Sequence, residues 1–289
     1  MTVAVDAIRD WIRNAPLLSH STMQLMRTLA DPDHELRDIE RIVETDSVLT
    51  ARVLQVVNSA AFSLIGEITS VSRALAQLGD KAVLGIALRQ GESEIFAREL
   101  VGYGSDSSSL WEHSLRTAIA SRELAKLSHE HVEPDLAYTC GLLHDIGKSV
   151  LSDFLAGKLD EMLTEVDPGE PDGDFLAAER RRLGVDHCGA GTELADHWEL
   201  PGLVRDICLH HHEPLAAPEA TRSLVTVIHA ADMMAMMGGS GTGGDTLMYR
   251  LDPSYRDVID LEKHTLESVM LKTTVEFDTT RRTLGMEET

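Results

Sequence analysis

Residues 141–150 read "GLLHDIGKSV", and they put an imidazole, a carboxylate and an ammonium into an otherwise apolar stretch. Leu142, Leu143, Ile146 and Val150 recur at helical spacing and call for a core. His144, Asp145 and Lys148 lie among them, and Gly147 weakens the helix they occupy by roughly 1 kcal/mol. Most of the thirteen histidines fall between residues 113 and 229, many beside a carboxylate or another histidine. His113 follows Trp111, His187 sits in "GVDHCGAG", "HHHE" spans His210 to Glu213, and "HAAD" runs from His229 to Asp232. Imidazole nitrogens and carboxylate oxygens together suit first-row divalent cations. An aspartate can bridge two such ions, and Lys148, one turn after His144, could grip a phosphate oxygen beside them.

Each fragment alone has a plainer reading. A lone His-Asp pair is more often a surface accident or a hydrogen-bonded core pair. His210 reads as a bystander at a helix end, and His197 and His229 as structural. Cys188, beside His187, reads as a buried small residue rather than a nucleophile. The order His, His-Asp-x-x-Lys, His, His-His, Asp along apolar-periodic segments is what raises the metal reading above these.

Helices must position these residues. The chain has 289 residues, 43% apolar and 26% charged, an ordinary globular composition with enough length for a genuine core. Aromatics are only 4%, so Ala, Leu, Val and Met carry the packing, which favours helices over sheet. Short amphipathic sets appear at Val5, Ile8, Trp11 and Ile12, then at Met23, Leu25, Met26 and Leu29 before Pro32, then at Leu36, Ile39, Ile42 and Val43. "DSVLTARVLQVVNSAAF" follows with Asp46 or Ser47 as its N-cap, and Gly79 and Asp80 separate "SRALAQLG" from "KAVLGIAL". That pair resembles a helix-turn-helix only as any compact helical pair does. "VGYGSDSSS", residues 101–109, reads as a linker between an N-terminal helical region, 1–104, and a second region, 105–289. "EVDPGEPDGDF" and "GGSGTGGDT" read as a surface loop and a flexible loop, and Met233, Met234, Met236 and Met237 as core filling on a helix.

The net charge of −22, from 48 acidic against 26 basic residues, opposes binding to nucleic acid. Arg180–Arg182 form the only dense basic run, which reads as a solvated helix face. Three widely spaced cysteines argue for a reducing compartment, and nothing resembles a signal peptide or a membrane span, so a cytoplasmic protein is expected.

In "DSVLTARVLQVVNSAAF", "ALAQLG", "GLLHDIGK", "GVDHCGAGTELADHWELP" and "HHEP", the chain resembles the HDOD branch, the HD-related output domain, of the HD metal-dependent phosphohydrolase superfamily. The likeness runs over about residues 14–235, with a helical tail beyond. It implies an all-α fold, an HD-type helical bundle with an N-terminal HDOD-type region, and a role in bacterial signal transduction. Carried over by motif, it implies metal ligands at His113, His144, Asp145, His187, His211, His212 and Asp232, with Asp145 and Lys148 as the catalytic pair and Lys148 contacting phosphate. The set also resembles the two-metal layout of HD-GYP cyclic-dinucleotide phosphodiesterases, from which the chain departs after "HHE" by reading Pro214-Leu-Ala-Ala-Pro instead of a Gly-Tyr-Pro motif.

The expectation is therefore a site for two divalent ions, Fe, Mn, Mg or similar, about 3.5–4 Å apart and sharing Asp145. One reading gives metal-dependent phosphohydrolase or phosphodiesterase activity on a phosphate-containing small molecule or nucleotide. The alternative is a catalytically inactive adaptor acting through a signalling protein partner. A pocket with no ion at all would leave several buried polar groups seeking partners, which is costly.

Overall fold

The computed structural model describes residues 2–31, 33–59, 68–90, 98–167 and 173–283. Pro32, the end of "NSAAF" and the middle of "EVDPGEPDGDF" lie outside them. Among the described residues the chain is helical, with only two isolated β-bridges, Leu100 to Ser105 and Ser128 to Ile259.

The N-terminal part holds α1 (Thr2–Arg13), α2 (His20–Leu29), α3 (Leu36–Thr45), α4 (Ser47–Val57), α5 (Val71–Leu78) and α6 (Asp80–Gln90). Their starts follow from local chemistry. Ser19 accepts from Thr22 N, and Asp46 accepts from Val48 N and Leu49 N, both at 3.0 Å. Each such cap stabilises its helix by about 0.5–2 kcal/mol. Ile8, Leu25, Ile39, Val43, Leu49, Val53 and Leu75 are buried, so the apolar stripes read from the sequence face one another.

The rest holds α7 (Ser109–Ala125), α8 (Pro134–Leu143), α9 (Ile146–Leu155), α10 (Leu159–Glu165), α11 (Phe175–Leu183), α12 (His187–His197), α13 (Gly202–His210), α14 (Glu219–Met237) and α15 (Lys263–Thr283). α7 packs on α8 and α14, α9 on α12, and α15 covers α7. The last contact is tied by Arg122, which donates to Glu276 (2.8 Å), and by Lys272, which reaches Glu123 (3.3 Å). No described helix is long and apolar enough to cross a membrane.

Two glycines decide how close the helices come. A Cβ at Gly141 would lie 2.9 Å from Ala118 Cα and 2.8 Å from Ser121 Oγ, so its absence lets α8 settle onto α7. A Cβ at Gly147 would overlap the His187 carbonyl oxygen and lie 2.5 Å from Gly191 N, so α9 and α12 meet backbone to backbone.

Several local expectations are corrected. "GLLHDIGKSV" is two helices, with His144 and Asp145 at the break, where Asp145 leaves helical geometry (φ −102°, ψ 12°). The segment expected to be a linker is packed: Val101–Tyr103 form a 3-10 turn, and Tyr103 is fully buried because its hydroxyl donates to Glu179 (2.6 Å). The glycine-rich segment after α14 is folded down as well, with Thr242 and Asp245 buried. Met233, Met234 and Met236 do fill core, but Met237 is 55% exposed, being the last residue of its helix. Arg180–Arg182 are not simply solvated: Arg180 pairs with Asp186, Arg181 with Glu165 and Arg182 with Glu161.

Candidate metal centre

All seven residues of the expected ligand set converge. His113 comes from α7, His144 and Asp145 from the break between α8 and α9, and His187 from the first turn of α12. His211 and His212 follow α13, and Asp232 projects from α14. His113, His144, Asp145, His187, His211 and Asp232 are each at most 1% exposed, and the His212 side chain is 5% exposed.

Asp145 stands between two groups. Its Oδ2 lies 3.5 Å from both His113 Nε2 and His144 Nε2, and its Oδ1 lies 3.4 Å from both His187 Nε2 and His211 Nε2. Asp232 Oδ1 closes the first group at 3.0 Å from His113 Nε2 and 3.6 Å from His144 Nε2. His212 Nε2 joins the second at 3.2 Å from His187 Nε2. Cys188 is also near, with Sγ 4.0 Å from His211 Nδ1, but burial drives its thiol pKa well up, which removes the nucleophile reading.

The imidazole tautomers follow from what the outer nitrogens touch. His113 Nδ1 donates to Ser240 O (2.7 Å), His144 Nδ1 to Gly141 O (2.8 Å), and His187 Nδ1 to Glu179 Oε2 (2.8 Å). His211 Nδ1 faces the carbonyls of Ile207 (3.2 Å) and Cys208 (3.1 Å). Each of these rings, when neutral, therefore turns an Nε2 lone pair inward. His113 Nε2 and His144 Nε2 face one another at 3.3 Å in just this way. Asp145 Oδ1, both oxygens of Asp232, and His211 Nε2 are buried without a well-aligned hydrogen bond, while Asp145 Oδ2 has the Lys148 ammonium at 2.8 Å.

Lone pairs and carboxylate oxygens crowded together repel unless a cation lies among them. Two cis ligands at 2.1 Å on one ion stand about 3.0 Å apart, close to the shorter of these separations. The residues present fit divalent ions.

Without an ion the imidazoles divide: burial opposes a charge on His113 and His187, but Asp232 beside the first and Glu179 beside the second hold both above the ordinary imidazole value. Burial, with some resistance from Asp145, brings His211 down to about 4, and burial plus the neighbouring His211 holds His212 well below its ordinary value. Burial opposes ionisation of Asp145 and Asp232, but Lys148 and His144 around the first, and His113 and His144 around the second, keep both carboxyls well below the usual range.

Residues outside the expected set shape the site. Glu179, fully buried on α11, accepts from His187 N (2.9 Å) and His187 Nδ1 (2.8 Å) as well as from Tyr103. It sets which way His187 points its lone pair. Glu179→Gln replaces one acceptor oxygen by a donor facing donors, so divalent-ion affinity should fall roughly 10–100-fold, as a chelator-competition titration would register. His229 is a brace: Nδ1 donates to His211 O (2.7 Å) while Nε2 accepts from Asp252 N (2.8 Å). His210 stays half-buried outside the cluster, and His197 reaches Ala15 O (3.1 Å).

Lys148 is buried beside the cluster, with Nζ 2.8 Å from Asp145 Oδ2, 2.7 Å from Asp245 Oδ2 and 2.8 Å from Thr242 Oγ1. An ammonium has three donors, and three partners already face them. Contact with a phosphate requires one to be given up.

A family model for the HDOD domain matches residues 15–214. Among curated proteins, an uncharacterised protein of Treponema pallidum (strain Nichols) is 27% identical over 227 residues. That match covers 78% of this chain and 43% of the relative, so the chain spans under half of that protein's length. An HDOD domain protein of unknown function from Geobacter sulfurreducens superposes with a TM-score of 0.62 at 26% identity, covering 99% of this chain and 90% of that one. A candidate phosphohydrolase of Shewanella amazonensis SB2B superposes at 0.63 with 20% identity, covering 97% of each chain, a likeness of fold alone. With the family match running from just after α1 through the His211–His212 pair, the chain belongs to the HDOD family.

Proposed function

We propose that this protein is an HDOD signal-transduction module whose buried cluster holds two divalent cations, and that it hydrolyses a phosphoester when the cluster is accessible. One observation carries the reading. Asp145 presents one oxygen to His113 and His144 and the other to His187 and His211, as a carboxylate shared by two ions would. His113, His144 and Asp232 would hold one ion, and His187, His211 and His212 the other. Charge supports a bound cation: Asp145, Glu179, Asp232 and Asp245 are buried beside the single ammonium of Lys148, more carboxylates than that ammonium can offset.

A divalent cation supplies Lewis-acid polarisation of a phosphoryl oxygen and activation of water. The chain's own residues do the rest. Glu179 and the backbone carbonyls fix the imidazoles, neutral His211 and His212 add no charge, and Lys148 is placed to offset charge developing on the phosphoryl group.

The second reading, an adaptor in which cations tie helices together and a protein partner reads the result, is favoured by one feature: the whole cluster is buried and Lys148 is fully engaged. Elemental analysis of untagged protein purified without chelator, followed by a phosphomonoester, phosphodiester and nucleotide panel with Mn²⁺ or Fe²⁺, separates the two. The expected result is bound metal and metal-dependent turnover. Metal without turnover on any of these would move the assignment to the adaptor, and protein that takes up no metal would overturn both.

A further inference from the structure

What closes the cluster is the glycine-rich strap between α14 and Tyr249. Ser240 places its carbonyl on His113, at one end of the site, and Tyr249 stacks on His212 at the other (4.1 Å, 15° between planes). Between them Asp245 enters the interior, fully buried, and pairs with Lys148 at 2.7 Å. Glycine serves close approach here. A Cβ at Gly243 would overlap the Tyr103 carbonyl oxygen, and Gly244 N donates to that same oxygen (2.7 Å). The closed strap is also strained, since Leu247 sits at φ 62° with its side chain 51% exposed.

The oxygens of Asp245 receive the Lys148 ammonium, the Thr242 hydroxyl (3.0 Å) and the Tyr249 hydroxyl (2.8 Å). Two of these donors belong to the strap and would leave with it. Only Lys148 belongs to the bundle. A further carboxylate in an already negative interior is favourable only while it holds that ammonium. What can take its place is another oxyanion, and a neutral ligand cannot.

The geometry points to Asp245 as an intramolecular substitute for a phosphoryl group: it occupies Lys148 and keeps the strap shut until a phosphate-bearing ligand displaces it. This rests on the part of the proposed reading in which Lys148 meets a phosphate group, not on the bound metal, and adds the regulation of that contact.

The test is hydrogen exchange of the amides of residues 240–249 in the full chain, with and without inorganic phosphate, at ionic strength matched with chloride. It is paired with calorimetric phosphate affinities for wild type, Asp245→Ala and Asp245→Asn, with metal content measured on each sample. Phosphate should speed exchange in the strap at least tenfold while leaving α7 unchanged, and both variants should bind phosphate at least tenfold more tightly than wild type. Unchanged strap exchange in wild type, or variants no tighter than wild type, would overturn the inference. If a variant does not fold, the wild-type exchange measurement decides alone. Metal-free protein whose strap still responds would sink the metal reading and leave this one standing; metal-loaded protein whose strap does not respond would do the reverse.

Discussion

Asp145→Ala should empty both halves of the cluster at once. The carboxylate faces four imidazoles, two through each oxygen, so its truncation removes a ligand from each group. Outer partners of metal ligands cost about 10–100-fold in affinity, and a shared ligand should exceed that, taking phosphoester turnover to background. The response of stability to metal is the sharper measurement. Burial opposes the charge on Asp145, but Lys148 and His144 hold its carboxyl well below the usual range, so its removal should lower the thermal stability of the metal-free protein. Adding Mn²⁺ should raise wild type alone, by about 2.7 kcal/mol per site at a hundredfold excess over Kd. Were the cluster instead a structural network that needs no ion, Mn²⁺ would shift the stability of neither protein.

Gly147→Ala should be the most damaging single methyl in the chain's centre. The added carbon meets the His187 carbonyl oxygen and Gly191 N, both backbone, so no rotamer change relieves it. α9 and α12 must separate, and separation draws His187 off Asp145. Ordinary overpacking costs about 1–3 kcal/mol, and a backbone overlap should pass the upper end even after roughly 1 kcal/mol returned by better helix propensity. Urea unfolding measures the loss, and metal content should fall with it. Gly202→Ala is the control: nothing lies within 4 Å of that position, so stability should hold or rise slightly.

The helices and the residues that gather in the cluster were legible because both are written in local terms. Apolar spacing marks Ile8, Ile12, Leu25 and Val43, and polar residues inside apolar periodicity mark His144, Asp145 and Asp232. Gly147 was legible as a residue that weakens its helix, and the reason for it is the α12 backbone lying where a side chain would be. The break at His144–Asp145 was hidden because apolar periodicity continues on both sides of it. Glu179, Asp245 and the two tyrosines were not legible at all. The Tyr103 hydroxyl meets Glu179 from 76 residues away, and nothing near either residue announces the other. Glycines at 238–244 look alike whether they allow motion or tight packing, and only the Tyr103 carbonyl beneath Gly243 tells which.

α12 begins at His187 and ends at His197, and the next residue, Trp198, donates its indole N–H to Pro16 O (3.0 Å). Eleven residues make a rod about 16 Å long. Pivoting at its start by a few degrees would swing its far tip by close to an ångström, enough to loosen a hydrogen bond. The hinge-point of that lever is an imidazole in the cluster, and its tip grips the turn joining the first two helices. A rigid rotation of α12 would therefore move both ends together, without either having to unfold.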